Sequence, residues 1–262
     1  MTFARTYSIV FLKRTTSTKG MVKQLDSTVL GILAEKLMKF GLTRQEASIY
    51  LCLVRNRELS GYEVSKLTGI SRSNVYSALA GLVEEGAAYL LEGETNKYTA
   101  VSVEDFCQNR IRELERLKSE LVMQIPQIEP NTEGYITISG HKHIMDKIYN
   151  MLAHVEYRVY LSIPTQYIDL IRQPLEKLIA DQKKVVLLIG EPLEQKLENA
   201  IVYITGKNDS HLRLIVDSAY VLTGEMTGSD TDSCLYCGQK NFVNVFKESL
   251  RNEIKLIEMG IN

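Results

Sequence analysis

The spacing of apolar and polar residues in the first half of the chain predicts two short helices joined by a tight turn. Ser60 and Glu63 form a capping box that would start the first helix, and Gly69 would end it. Ser71 is expected to cap the second helix, and Gly86 to close it. Apolar residues recur every three or four positions along the second helix and form a stripe that would pack on its own domain. The stripe consists of Val75, Leu79, Leu82 and Val83.

Polar side chains gather near the start of the second helix, on the side away from this stripe. Helix-turn-helix proteins place these positions against base edges and phosphates, which makes duplex DNA the expected partner. The candidate DNA-binding residues are Ser60, Lys66, Ser71, Arg72, Ser73, Asn74, Tyr76, Ser77 and Lys97. The alternatives are a helical hairpin that only packs and a domain that contacts only proteins; the Arg72-Ser73-Asn74 cluster argues against the second.

The flanking segments complete a domain of the winged helix type. Two β-prone runs surround a turn at 92–96 and predict a hairpin, the wing. Before the two helices, Thr43 and Glu46 form another capping box, and residues 29–40 give one more helix that Gly41 stops. The inner face of the helix that Thr43 opens is expected to carry Ala47, Tyr50, Leu51 and Val54.

A long amphipathic helix is predicted directly after the wing. Ser102 would cap it, it would run from Val103 to about Ile125, and Pro126 and Pro130 would end it and mark a linker. Its apolar positions are Ile111, Leu114, Leu117, Leu121 and Ile125. Their spacing predicts a coiled-coil seam of about three heptads, which would join two chains in a homodimer. The alternative is an amphipathic helix that lies on its own domain.

From Gly134 the pattern changes to alternating strands and helices. Strands are predicted at 135–139, 157–163, 184–189, 201–205, 212–217 and 220–225. Helices are predicted to end near 153, to span 164–181, and to span 240–259. Strands that alternate with helices predict an α/β sheet with helices on its faces.

Several elements of the first half together resemble a known family. They are Gly41-Leu42-Thr43, Glu46-Ala47, Tyr50, Ile70-Ser71-Arg72, Val75-Tyr76, Leu79, and Leu82, Glu84 and Gly86. With these elements, residues 29 to about 125 look like the TrmB-like family of transcriptional regulators. The resemblance implies winged-helix DNA binding, usually as a dimer, with an effector domain behind it. In that family the effectors are often sugars.

The segment HLRLIVDSAYVLTGE, His211 to Glu225, is similar to the core of a phospholipase-D-like half domain. In such enzymes a histidine and a lysine act on phosphodiesters, within the motif H-x-K-x4-D. Here Arg213 replaces the lysine, and Asp217 stands one residue too early. A covalent phosphohistidine mechanism also needs a second histidine, and this chain has one copy of the motif.

We therefore expect a non-enzymatic α/β domain with no catalytic residue. His211 and Arg213 become candidate effector-binding residues for a small anionic molecule, because the guanidinium offers a planar fork to an anion but does not shuttle protons. The alternative is a phosphodiesterase-like enzyme that a winged helix targets. The chain has no Gly-rich phosphate cradle, nucleophile elbow or kinase signature.

Composition adds limits on location and on charge. Apolar runs in the 262 residues are far shorter than the roughly 18 that a membrane helix needs. Four cysteines form no disulfide framework in a chain of this length, so we expect a cytoplasmic protein away from the membrane. Between residues 21 and 101, nine Lys or Arg face nine Asp or Glu. DNA binding therefore requires that basic residues gather on one face and are doubled by dimerisation.

The histidines and cysteines give only weak signals for a metal or redox site. His141 and His143 lack a carboxylate or thiol cluster with zinc spacing, so solvent-facing histidines are expected, with no metal site and no cofactor. Cys234 and Cys237 form a lone C-x-x-C, for which a thiol switch or half of a zinc site stays open.

The predicted fold class is α+β, with four segments along the chain. Residues 1–26 are expected to be a disordered or mis-assigned leader, with Met21 as the true start and a signal peptide as the alternative. Residues 27–101 would form the winged helix-turn-helix DNA-binding domain. Residues 102–130 would form the dimerisation helix and linker, and residues 131–262 the phospholipase-D-like regulatory domain.

Overall fold

The computed structural model of the protein describes residues 27–126, 134–206 and 210–260. The chain divides into two units, with the boundary between Gln127 and Ile128. The predicted leader and Pro130 of the predicted linker lie outside the described residues. None of the described helices has the length and the apolar composition of a bilayer-spanning segment.

The first unit combines five helices with a small sheet. Its helices are α1 (Ser27–Met38), α2 (Arg44–Asn56), α3 (Gly61–Thr68), α4 (Arg72–Glu84) and α5 (Val103–Gln124). Its strands are β1 (Glu58–Ser60), β2 (Ala88–Leu91) and β3 (Lys97–Ala100), in the sheet order β1-β3-β2 with antiparallel neighbours. The predicted hairpin is present, and β1 is a strand that the sequence pattern did not predict.

Side-chain caps fix where three of these helices begin. The Thr43 hydroxyl accepts from the Glu46 N–H at 3.3 Å, and the Glu46 carboxylate accepts from the Thr43 N–H at 2.7 Å. A second capping box opens α3, and the Ser102 hydroxyl accepts from the Asp105 N–H at 3.0 Å to open α5. Ser71 differs from the prediction: it occupies the N-cap position of α4, but its side chain makes no cap hydrogen bond.

The core of the first unit forms around α2. Tyr50 is fully buried, packs against Phe106 with ring centroids 5.7 Å apart, and donates its hydroxyl to the Val101 carbonyl at 2.8 Å. Burial of this phenol raises its pKa to about 12. The hydrogen bond ties α2 to the segment that connects β3 with α5.

Two predicted core positions are wrong, because they lie at the edges of their stripes. Val54 on α2 and Val83 on α4 are exposed. The buried residues that the pattern missed are Ile49 and Leu53 on α2 and Ala78 on α4. The apolar face of each helix is therefore rotated slightly from the predicted one.

The apolar seam of α5 is exposed in the single chain. Relative exposures are 40% for Ile111, 50% for Leu114, 37% for Leu117, 54% for Leu121 and 56% for Ile125. The buried residue of this helix is Phe106, near its start. The structure thus shows α5 with its seam uncovered, which differs from the alternative of a helix lying on its own domain.

The second unit is a seven-stranded sheet with helices on both faces. Its strands are β4 (Tyr135–Ser139), β5 (Arg158–Ser162), β6 (Lys184–Ile189), β7 (Ile201–Ile204), β8 (His211–Val216), β9 (Tyr220–Glu225) and β10 (Ser233–Cys237). Its helices are α6 (His141–Ala153), α7 (Ile168–Ala180) and α8 (Lys240–Glu258), and a short 3-10 helix (Thr165–Tyr167) precedes α7. The strand order is β4-β10-β9-β8-β5-β6-β7.

The sheet is mixed and is buried on both sides. Strands β5, β6 and β7 are parallel, and the other neighbours are antiparallel. Along β6, Leu187 joins the core under α6 and α7, whereas Val186 and Leu188 join the core under α8. A strand buried on both faces reads as a continuous apolar run, which is why β6 is recognisable from sequence. The predicted α/β sheet is confirmed, with β10 as an additional strand.

Asp232 holds the loop between β9 and β10 in place. The residue is 5% exposed, and its carboxylate accepts hydrogen bonds from the Thr227 hydroxyl and from the N–H groups of Thr227, Gly228 and Ser229, at 2.5–3.2 Å. Burial alone would raise the pKa of this carboxyl, but the four donors outweigh it and lower the pKa. The ionised form is thus favoured in the folded protein.

Replacing Asp232 with asparagine should lower the free energy of unfolding by about 2 kcal/mol at neutral pH, because a charge that accepts several buried hydrogen bonds is lost. A depressed pKa stabilises the fold above the unfolded value of about 3.9 and ceases to do so as the pH falls through the folded value. The difference between Asp232→Asn and the parent should therefore shrink below about pH 4. Urea unfolding at several pH values measures this, with the exposed Asp230→Asn as the matched control. Equal stability of both variants at pH 7 would contradict it.

Candidate nucleic-acid interface

A turn of three residues, Gly69 to Ser71, joins α3 to α4 and fixes the angle between them. Gly69 has the left-handed conformation, with φ of 73°, and its N–H donates to the Ser65 carbonyl at 3.0 Å. The Ser65 hydroxyl donates to the Ile70 carbonyl at 2.7 Å. Because the turn is tied to the last turn of α3, the start of α4 has a defined position.

Helix α4 buries one face and exposes the other. Val75, Leu79 and Leu82 have no exposed surface. The polar residues of its first two turns are all exposed: Arg72, Ser73, Asn74, Tyr76 and Ser77. This division was predicted from the sequence, and it leaves the donors and acceptors of these side chains open to a ligand.

The guanidinium of Arg72 lies over an aromatic ring. Its central carbon is 4.6 Å from the ring centroid of Tyr62, which is near the start of α3. Within the described part of the chain, no carboxylate forms an ion pair with Arg72. The stacking orients the side chain and leaves its charge available. The sequence did not predict a role for Tyr62, because an exposed aromatic residue ten positions before an arginine gives little signal.

Tyr76 covers the first residue of α3. A Cβ atom at Gly61 would lie 2.5 Å from the Tyr76 ring, so a larger residue here would require the ring to move. The ring is held by this contact while about half of the residue stays exposed. Tyr62 and Tyr76 therefore place two partly exposed rings beside the polar start of α4.

The N-terminus of α4 lacks a side-chain acceptor among the described residues. The Ser71 hydroxyl lies 3.4 Å from the Ser73 hydroxyl and caps no N–H group. The first N–H groups of a helix carry a partial positive charge and attract anions, including phosphate. Together with Arg72, this end of α4 has the chemistry of a phosphate contact.

Three further candidates lie outside α4. Ser60 is only 9% exposed, and its hydroxyl is bonded to the Glu63 carboxylate at 2.8 Å, so the structure places it in a helix cap. Lys97 faces Ser60 across the β1–β3 pair, and its charge adds to the hydrogen bonds from Ser60 that lower the pKa of Glu63. Lys66 is exposed on α3.

The tip of the hairpin is acidic. Glu92 and Glu94 are both exposed in the turn between β2 and β3. Phosphates repel carboxylates, so a wing tip of this charge suits a position away from the DNA backbone. The basic residues among the candidates are Lys66, Arg72 and Lys97. The candidate DNA-binding surface is therefore polar and carries few positive charges.

In the second unit, Arg213 is already paired. Its guanidinium lies 2.7 Å from the Glu253 carboxylate on α8 and 3.2 Å from the Ser162 hydroxyl, and its side chain is 17% exposed. His211 lies two residues earlier on β8 and is exposed. Since Glu253 neutralises the arginine, this pair offers less to an anionic effector than its sequence indicated.

Asp217 has a structural role in the turn between β8 and β9. Its carboxylate accepts from the N–H groups of Glu156, Tyr157 and Arg158, each at 2.8 Å. It thereby ties the turn to the start of β5. A carboxylate held this way is committed to backbone donors and does not support a histidine.

The two histidines of the predicted metal alternative lie in different surroundings. His143 is exposed as expected, but His141 is not solvent-facing: its ring centroid is 5.2 Å from that of Tyr167, and its Nδ1 lies 3.8 Å from the Asp232 carboxylate. Among the described residues, no group of three potential metal-binding side chains comes together.

Cys234 and Cys237 cannot act as one site. Residues three apart on a strand point to opposite faces, and here Cys234 lies in the core under α6 and α7 while Cys237 lies in the core under α8. Both are buried, and burial raises the pKa of Cys234 to about 11. The structure therefore contradicts the alternative in which Cys234 and Cys237 together form a thiol switch or half of a zinc site.

Two helices joined by a three-residue turn, with a buried inner face and an exposed polar start of the second helix, define a helix-turn-helix protein. Residues 37–104 match the family described as "Sugar-specific transcriptional regulator TrmB". This region is TrmB-like, as the resemblance in the sequence indicated.

Similar proteins include a regulator from an archaeon. The chain is 25% identical over 150 residues to the HTH-type sugar sensing transcriptional regulator TrmBL1 of Pyrococcus furiosus, which covers 55% of this chain and 44% of that protein. The chain spans about half the length of the curated relatives it matches: 44% of TrmBL1, and 57% of the uncharacterized protein YrhO of Bacillus subtilis, to which it is 28% identical over 162 residues.

Two solved structures match the chain to different extents. TrmBL2, described as an archaeal chromatin protein with a novel mode of DNA binding, is 20% identical, with a TM-score of 0.43, over 86% of this chain and 98% of that chain. Nuc of Salmonella typhimurium, a phospholipase D family member, is 11% identical, with a TM-score of 0.37, over 47% of this chain and 95% of that chain.

Proposed function

We propose that this protein is a sequence-specific DNA-binding transcriptional regulator that acts as a homodimer in the cytoplasm. Its winged helix-turn-helix domain, residues 27–101, binds duplex DNA. The observation that carries the proposal is the exposed polar start of α4, where Arg72, Ser73 and Asn74 point away from a fully buried stripe. The match of residues 37–104 to a family of transcriptional regulators supports it.

The side chains of α4 have the chemistry of base readout. Arginine pairs in a bidentate manner with guanine, and asparagine with adenine, in the major groove. The hydroxyls of Ser71, Ser73 and Ser77 and the first N–H groups of the helix can contact the backbone. Arg72 and Asn74 would then specify sequence, while the serines position the helix.

The uncovered seam of α5 supports a dimer. Exposed leucines and isoleucines in a heptad-like pattern are buried when two such helices pair. Because two residues separate β3 from α5, a pair of α5 helices would fix the distance between two α4 helices. Two half-sites about one helical turn of DNA apart would then bind as a unit.

The second unit would sense an effector without catalysis. Arg213 is neutralised by Glu253, and Asp217 is committed to three backbone N–H groups, so neither serves phosphodiester chemistry. These contacts disfavour the alternative of a targeted phosphodiesterase. A ligand of this unit would regulate DNA binding if it preferred one dimer geometry over another.

Footprinting of the purified protein on the DNA upstream of its own gene tests the proposal. We expect protection of two half-sites whose centres are about 10 bp apart, with binding that weakens as salt rises. A shuffled fragment of the same base composition is the control. Equal binding to both fragments, or no protection at about 50 mM salt, would overturn sequence-specific regulation.

A further inference from the structure

A cavity of about 480 Å³ lies in the second unit between the later part of α8 and the sheet. Five basic side chains from two strands and one helix surround it. They are Arg158, Lys184, Lys247, Arg251 and Lys255. A cavity of this volume is in the range that holds small molecules in other proteins.

The positive charges of this cavity are not balanced within the described residues. None of the five basic side chains forms an ion pair with a carboxylate in the described part of the chain. The lining includes one carboxylate, Glu258, which accepts a hydrogen bond from the Tyr203 hydroxyl at 2.8 Å. Like charges that converge on one concave surface raise its potential, and a bound anion relieves their repulsion.

The floor of the cavity is apolar and carries two aromatic rings. Ile215, Leu250 and Ile254 contribute aliphatic surface, and Tyr160 and Tyr203 contribute rings from β5 and β7, the strands on either side of β6. The ammonium of Lys184 lies 5.9 Å from the Tyr160 ring centroid. The combination of a charged rim with an apolar, partly aromatic lining suits a ligand that joins an anionic group to a planar one.

We propose that this cavity binds a small phosphorylated molecule with a planar ring, of the nucleoside diphosphate type. The phosphates would lie among the lysines and arginines of the rim, and the ring on the tyrosines and aliphatic floor. The proposal deepens the effector role proposed above and rests on it for regulation only, since binding itself can be measured without DNA.

The lining of the cavity does not include His211 or Arg213, the candidate effector-binding residues of the phospholipase-D-like segment. From that segment the lining takes Ile215, near the end of β8, and Ser218, two residues beyond it, whereas His211 is the first residue of the strand. The basic residues surround a concave site with an apolar floor, and a DNA-contact surface would instead present them along an open stripe. The geometry therefore favours a small anion over duplex DNA.

Isothermal titration of the full chain with adenosine diphosphate, pyrophosphate and adenosine tests the proposal. We expect adenosine diphosphate to bind most tightly and adenosine to bind at least about tenfold more weakly, because the charged rim supplies most of the affinity. The double variant Lys247→Gln, Arg251→Gln should weaken binding of adenosine diphosphate about tenfold or more. The control Lys142→Gln, Lys240→Gln removes the same charge from exposed positions of the same unit and should bind like the parent.

Three results would overturn the site. The first is that neither adenosine diphosphate nor pyrophosphate gives a binding heat at about 1 mM. The second is that both double variants weaken adenosine diphosphate binding equally while their melting temperatures match the parent. The third is that the parent binds no nucleotide and the cavity variant loses duplex DNA binding. Protected DNA without nucleotide binding would remove this site and keep the regulator. Nucleotide binding without DNA protection would keep this site and remove the proposed regulator.

Discussion

Replacing Arg72 and Asn74 together with alanine should weaken specific DNA binding about a hundredfold, because two base or phosphate contacts at roughly 1–3 kcal/mol each are lost. Both side chains are exposed, so the fold should keep its stability within about 0.5 kcal/mol. Fluorescence anisotropy on a footprinted duplex, at constant salt, measures the affinity, and thermal unfolding measures the stability.

The single variants separate the two roles. Arg72→Ala removes a charge and should reduce binding to specific and random duplexes together, with a salt slope smaller by about 1. Asn74→Ala should weaken binding to the specific duplex alone. Lys36→Ala on α1 is a control that removes a positive charge from another exposed helix position. If the double variant binds like the parent, α4 does not contact the DNA.

The helices around this surface were predictable because their signals are local. Capping boxes at Thr43 and Ser60 and the glycine after α3 lie within a few residues of the ends that they define. Strand β1 was missed for the opposite reason. It has three residues, and its partner is β3, so its stability comes from Thr99 and Tyr98, about forty positions later.

Periodicity alone could not decide which residues at the edges of the helical stripes are buried. Spacings of three and four residues define a face to within one residue on either side. Val54 and Val83 fall just outside the buried face, and Leu53 and Ala78 just inside it. Tertiary contacts decide between such neighbours, and a single helix pattern contains no record of them.

The sites of the second unit could not be predicted from the sequence, because they depend on strand register and on partners far away in the chain. The C-x-x-C spacing indicates a site only if the backbone brings both thiols together, and strand β10 sends Cys234 and Cys237 to opposite cores. The pairing of Arg213 with Glu253 joins residues forty positions apart. The five basic residues of the cavity come from β5, β6 and α8, so no local motif marked them.

Replacing Leu114 and Leu121 with aspartate should convert a dimer into a folded monomer. Both residues occupy the same heptad position of the α5 seam and are exposed in the single chain, so the change costs little within one subunit. In a pair of helices, four carboxylates would lose their water at the seam. Sedimentation velocity should show about half the parent mass, with unchanged melting of the second unit.

The same variant should bind its operator about a hundredfold more weakly, because two half-sites no longer gain from a shared link. The control Asn109→Asp, Ser119→Asp adds the same charge on the opposite side of α5 and should stay dimeric. A monomer in both variants would mean that added charge alone separates the chains. An unchanged sedimentation coefficient for Leu114→Asp, Leu121→Asp would place the dimer contact elsewhere, and the spacing between the two α4 helices would then be set by another surface.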